Sequence, residues 1–172
     1  MRILYRSRQF WHALSASPTP EELALAHKYL SPPLMSIFTR MQPSEQAHSL
    51  HIARQLIQQG ETHPDLLVAA LLHDSGKNHH PLNVWERVAI VVGTSLLPDR
   101  ARQWGRGKLD GWKRAFAVAE QHGEWGAQMA AQAGASPLAV TLIRRHQFPL
   151  DHAAQSLEDS LLLKLQRVDN ES

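Results

Sequence analysis

The stretch LLVAALLHDSGKNHH, residues 66–80, runs an apolar segment straight into His73 and Asp74. A buried carboxylate is costly unless something pairs with it, and a metal ion is one of the few partners that offsets the whole cost. The chain contains no cysteine, so thiol chemistry, disulfides and zinc ribbons are excluded. Side-chain metal ligation falls to His, Asp and Glu. Such mixed nitrogen and oxygen donors suit iron, manganese, zinc or nickel.

The chain carries eleven histidines, and sorting them by helical face separates candidates from bystanders. His48 shares a face with Ile52 and Leu56, whereas His51 lies with Gln55 and Gln58 and reads as solvent-facing. His122 falls in line with Val118 and Met129, His146 with Leu142 and Ala139, and Asp169 with Leu162 and Leu165. One core-facing histidine is ordinarily a hydrogen-bonded structural residue. His48, His73, Asp74, His122, His146 and Asp169 together, from five helices, are a different matter. One or two divalent cations would satisfy them at once.

The elements that must position these residues are helices. Many starts pair a capping residue with proline at the first helical position. Thr19 and Glu22 form a capping box opening a helix to about Leu30, and Ser31-Pro32 opens another to about Met41. Pro43 opens a helix that stops at Gly60, Pro64 one that ends in the HD pair, and Asn83 caps one to Leu97. Helices are also expected over Trp112–Ala133, from Ser136-Pro137 to Arg145, and over Ser156–Val168. The segment PDRARQWGRGKLDG, 98–111, is punctuated by Pro and Gly and is expected to be the longest loop. Strand patterns are scarce, so the expected class is all-α, a single compact helical bundle.

Composition agrees with one domain: 172 residues, 43% hydrophobic. A formal charge of +2 does not mark a DNA-binding protein. The apolar run Val88–Leu97 falls short of the roughly 20 residues a bilayer requires and is expected to be a core helix. The N-terminal MRILYRSRQFWHAL has arginines breaking its apolar positions, unlike a signal peptide, so a cytoplasmic protein without a membrane partner is expected. Oligomeric state is left open.

AHSLHIARQL, LLHDSGK and LLKLQRVDN, in that order, resemble the HD-domain metal-dependent phosphohydrolases over about Pro43 to Asp169. The resemblance implies an HD-type domain over 43–172, with 1–42 as a helical extension packed on it. It also implies that His48, His73, Asp74 and Asp169 hold one metal, iron or manganese. QHGEWGAQMAAQAGASPLAVTLIRRHQ is similar to the histidine-extended branch, in which Asp74 would bridge to a second metal held by His122 and His146. That branch includes the bacterial enzymes that hydrolyse diadenosine tetraphosphate symmetrically. It also includes cyclic-dinucleotide HD-GYP phosphodiesterases, from which this chain departs by lacking Gly-Tyr-Pro and by having Gln147 where a second adjacent histidine is expected.

Two divalent ions in such a site activate a shared water and clamp an in-line phosphoryl displacement. Lys77 would place a cation near the substrate phosphate, its alternative being an ordinary solvated lysine. Arg144 and Arg145 suit either phosphate contacts or the surface, and His79-His80, before Pro81, read as exposed. The basic loop with Trp104 and Trp112 could cover a nucleotide or contact single-stranded nucleic acid, but its tryptophans are expected to pack beneath it. The expected activity is hydrolysis of a small nucleotide or related phosphate ester. The alternatives are a non-catalytic nucleotide-sensing scaffold and a di-iron oxygenase of the same architecture.

Overall fold

Proline sets where most of the helices begin. In the computed structural model, which describes residues 17–150 and 152–171, α1 (Pro20–Tyr29), α2 (Pro32–Phe38), α3 (Pro43–Gln58), α4 (Pro64–Leu72), α6 (Pro98–Gly105) and α8 (Pro137–Arg145) all start on one. Its fixed φ suits the first turn, where its missing N–H has no intrahelical acceptor to lose. The other helices are α5 (Val84–Leu96), α7 (Arg114–Gln132) and α9 (Leu157–Glu171), with 3₁₀ turns at Ser75–His79 and Gly111–Lys113. No strand occurs among the described residues, so the fold is all-α. The reading of the N-terminal 14 residues lies outside the described residues.

Local chemistry explains the ends. Thr19 and Glu22 exchange the two bonds of a capping box at α1, and Asn83 and Glu86 repeat it at α5. Each such cap contributes about 1 kcal/mol. Ser136 caps α8 through Ala139 N–H while its hydroxyl donates to Asp65 at 2.6 Å, tying α8 to α4.

The central element is α4. Every residue from Leu66 to Leu72 is buried, six of them completely, as expected of a helix apolar all round. Burying each leucine contributes about 1.5–3 kcal/mol. Helices α3, α8 and α9 surround α4, and Leu50, Ile52, Leu56, Leu142, Ile143, Leu162 and Leu165 complete one core that also takes in residues of α1 and α2. A chain leaving this helix at its C-terminal end is still inside the protein, which is why His73 and Asp74 are buried.

Four expectations need correction. The segment 98–111 is not the longest loop, because Pro98 opens α6, whose Ala101 and Gly105 are buried as it packs on α7. Gly105 is a packing residue rather than a breaker: a Cβ there would lie 2.7 Å from Glu120 Cβ and 3.0 Å from Phe116 O. The connections 73–83, which holds a 3₁₀ turn, and 146–156 are both longer than the residues left between α6 and the next turn. Secondly, α5 is not a core helix, for none of its residues is buried and Trp85 is 80% exposed. Its apolar residues circle the helix while α6 and α7 do most of the packing on it, and Val91, Val92 and Leu96 face out. Thirdly, α2 ends at Phe38, and Arg40 and Met41 close a tighter turn on Ile37 and Phe38. Finally, Trp104 does pack, edge-on to Phe116 at 5.0 Å, but Trp112 is 64% exposed. No described helix is long and apolar enough to cross a membrane.

Candidate metal centre

Five helices deliver the six residues to one place. His48 comes from the middle of α3, His73 from the C-cap of α4, His122 from α7, His146 from the C-cap of α8 and Asp169 from the last turn of α9. Asp74 follows His73 at the start of the 3₁₀ turn. The ligand atoms form two groups of three, each within 4.8 Å: His48, His73 and Asp169, then Asp74, His122 and His146. The four-residue first set implied by the family resemblance is thus divided, with Asp74 grouped on the side of His122 and His146. Its carboxylate nevertheless faces both groups. Oδ1 is 3.1 Å from His122 Nε2, and Oδ2 is 3.7 Å from His73 Nε2. On the other side, Asp169 Oδ1 is 3.0 Å from His48 Nε2 and 3.7 Å from His73 Nε2.

The imidazoles are aimed by their own helices. The Nδ1 atoms of His73, His122 and His146 lie 2.9, 3.1 and 2.7 Å from the carbonyls of Ala70, Val118 and Ile143. Nδ1–H donates in each case, leaving the Nε2 lone pair for the centre. At His73 and His146 the acceptor lies in the last helical turn, where carbonyls lack intrahelical donors, so one bond satisfies the backbone and orients the ring.

Two of these Nε2 atoms, on His73 and His122, are buried without a hydrogen-bond partner. The 3.1 Å approach of His122 to Asp74 is close but lacks hydrogen-bond geometry. Buried polar atoms are seldom left unsatisfied. A divalent cation in each group, taking the lone pair of His73 in one and of His122 in the other beside a carboxylate, fits the donor set.

Electrostatics point the same way. Burial would raise the Asp74 carboxyl, but Lys77, His73 and His122 together outweigh it and hold it well below the usual range. Burial likewise opposes ionisation of Asp169, yet His73 and His48 draw it down to about 2. Burial, reinforced by His73 and His122, lowers His146 to about 3, so it is neutral at physiological pH and able to act as a ligand. His48 is raised: burial works against its charge, and its hydrogen bond to Asp169 and the charges of Asp74 and Asp169 prevail.

Lys77 is not a solvated surface residue. Its Nζ is 2.7 Å from Asp74 Oδ2, where it balances that carboxylate. His73, His122 and His146 are buried, while the side chains of His48 and Asp169 remain 32% and 27% exposed. The centre therefore opens on the His48–Asp169 side.

Other residues fall elsewhere. Arg144 pairs with Glu124 at 2.7 Å and Arg145 with Glu158 at 2.5 Å, both at the surface. His79 is exposed and His80 half-buried, and both rings lie edge-on to Trp125. His51 is exposed beside Gln55, and Gln147 is exposed.

Glycines do what no ligand pattern announces. A Cβ on Gly76 would sit 1.9 Å from His122 O, and one on Gly126 would sit 3.1 Å from Gly76 N. The HDSGK turn and α7 meet backbone to backbone, which brings His122 within reach of Asp74. The available signal was the small-residue spacing around His122 in HGEWG.

The family model described as HD domain matches residues 46–171, a span holding all six residues. No curated protein and no solved structure matches the chain.

Proposed function

Since the chain belongs to the HD-domain family of metal-dependent phosphohydrolases, we propose that it hydrolyses a small nucleotide or related phosphate ester at a two-metal centre. The observation that supports this most is the pair of three-residue groups meeting at Asp74, with buried, unpartnered Nε2 atoms directed into them. His48, His73 and Asp169 would hold one ion in this reading and His122 and His146 the other, with Asp74, whose carboxylate faces both groups, as their shared ligand. Iron or manganese suits that donor set. When bound, the ions supply a water acidified towards neutral pH and a clamp for the oxygens of an in-line displacement.

The chain's own residues do the rest. The backbone-anchored imidazoles keep the donors fixed, so little reorganisation is needed when charge develops. Lys77 exchanges its contact with Asp74 for a phosphoryl oxygen as negative charge grows there. The substrate enters past His48 and Asp169, where the centre is open. A dinucleoside polyphosphate cleaved symmetrically is the substrate class favoured by the histidine-extended pattern. Neither DNA nor a membrane takes part, and a cytoplasmic setting fits.

The test is elemental analysis of anaerobically purified protein, then a hydrolysis screen with the metal found, covering dinucleoside polyphosphates, nucleoside monophosphates and cyclic nucleotides. Stoichiometric metal and turnover are expected, both lost in Asp74→Asn with the fold kept. A folded, metal-free wild-type protein that gains no activity with added iron or manganese would overturn the reading.

A further inference from the structure

Outside the metal centre, α5, α6, α7 and the segment after His146 enclose a groove of about 560 Å³. None of the six candidate ligands lines it. Its apolar walls include Ile90, Ala101, Phe116 and Phe148, and Arg102 and Arg106 stand at its edge, four residues apart.

The state of those arginines is unusual for this protein. Every described arginine outside α6 and its C-cap reaches a carboxylate, amide or carbonyl oxygen. Lys77 and Lys164 are ion-paired, and Lys28 and Lys113 lie against aromatic rings. Among the described residues, the cations without such a partner are Arg100, Arg102, Arg106 and Lys108, all within one nine-residue stretch. Glu120 lines the same groove yet forms no ion pair with either arginine there.

The groove is also held in shape. Gly105 lets α6 lie against the backbone of Phe116, and Gly93 lets α5 lie against its ring, where a Cβ would be 2.5 Å away. Gln121 donates to the carbonyls of Gly105 at 2.9 Å and Gly107 at 3.3 Å, bracketing Arg106 from α7. Two unpaired fork-shaped cations, carried by a positioned backbone beside an aromatic and aliphatic wall, match a molecule with a phosphate at one end and a flat ring at the other.

We infer that this groove is a second small-molecule site, separate from the metal centre, that binds a nucleoside phosphate. Arg102 and Arg106 take its phosphates, the exposed Phe148 contacts its base, and Glu120 accepts from a sugar hydroxyl. The inference does not depend on the centre being hydrolytic.

The experiment is calorimetric titration of metal-free full-length protein with ADP, adenosine and inorganic pyrophosphate. ADP should bind more tightly than either fragment. Arg102→Gln with Arg106→Gln should weaken ADP by about tenfold or more, the scale of losing charge-assisted phosphate contacts. Asp74→Asn should leave ADP binding within about twofold of wild type, since Asp74 lies outside the groove. Both arginines are exposed, so the double variant is expected to keep its circular dichroism spectrum and melting temperature. Unchanged ADP affinity in the folded arginine variant would overturn the inference, as would ADP binding abolished by Asp74→Asn. Adenosine or pyrophosphate binding as tightly as ADP, or no ADP binding at all, would overturn it too. Hydrolysis at the centre is scored separately, so either reading can fail alone.

Discussion

Replacing Gly76 with alanine probes the contact on which the centre's geometry rests. The new Cβ would be 1.9 Å from His122 O and 2.7 Å from Gly126 N. Ordinary carbon–oxygen contacts begin near 3.3 Å, so the turn and α7 must separate by about 1.4 Å. Both obstructing atoms are backbone, so no side-chain rotation relieves the clash. Overpacking against movable side chains costs about 1–3 kcal/mol, and here the cost should reach about 3 kcal/mol or more. For a chain of this size that lowers Tm by about 6–12 °C. The same movement draws His122 Nε2 away from Asp74, now 3.1 Å apart, so metal content should fall as well. Two controls calibrate the effect. Gly60→Ala meets nothing within 4 Å but has φ +87°, and should cost about 1 kcal/mol from backbone strain. Gly126→Ala gains about 1 kcal/mol of helix propensity but meets Ser75 Oγ at 3.0 Å and the backbone N of Gly76 at 3.1 Å, so across the same contact it should lose less than Gly76→Ala. Urea denaturation and elemental analysis of the three variants read both effects. A Gly76→Ala protein no less stable than Gly60→Ala, with full metal content, would refute the close-approach reasoning.

Acid should loosen the metal-free protein. His146 is lowered to about 3 when folded, against 6.5 as its ordinary value, so between those limits the unfolded chain holds the extra proton and stability rises with pH. The resulting loss from pH 7 to pH 5 is about 2 kcal/mol; His146→Gln should flatten that slope in urea denaturation, and an unaltered slope counts against the assignment. Asp169, lowered to about 2 from 3.8, adds a further loss below pH 4 in the same direction. Glu45 is buried and paired with Arg87 at 2.8 Å. Arg87→Ala should therefore cost about 3–5 kcal/mol by stranding the carboxylate, and adding Glu45→Gln should recover part of it in the same denaturation assay; equal stability of the single and double variants would dismiss the pairing. Lys77→Gln should retain metal while lowering turnover by about a hundredfold, the scale of losing one transition-state contact; loss of metal with it would make Lys77 a structural counter-ion instead.

Much of this molecule was legible because its signals are local. Helix starts follow from proline and capping residues, and the inward aim of His48, His122, His146 and Asp169 follows from helical periodicity. Both depend only on neighbours in the chain. Errors arose where a residue's meaning depends on what lies across from it. Gly105 reads as a breaker in sequence, yet in the fold it is the place where α6 meets Glu120 and Phe116. The apolar run of α5 reads as core, but whether an apolar helix is covered depends on how many neighbours reach it, and α5 has too few.

The opening stretch shows the same division. Its residue types and its apolar approach already determined, from the sequence alone, that His73 and Asp74 would be buried and in need of a cation, since the cost of burying a charge is independent of topology. Only the tertiary structure decided that Asp74 turns one oxygen towards His122 and the other towards His73 and Lys77. That depends on Gly76 letting two backbones approach across 46 positions of sequence, from residue 76 to residue 122, a packing contact that no local pattern encodes.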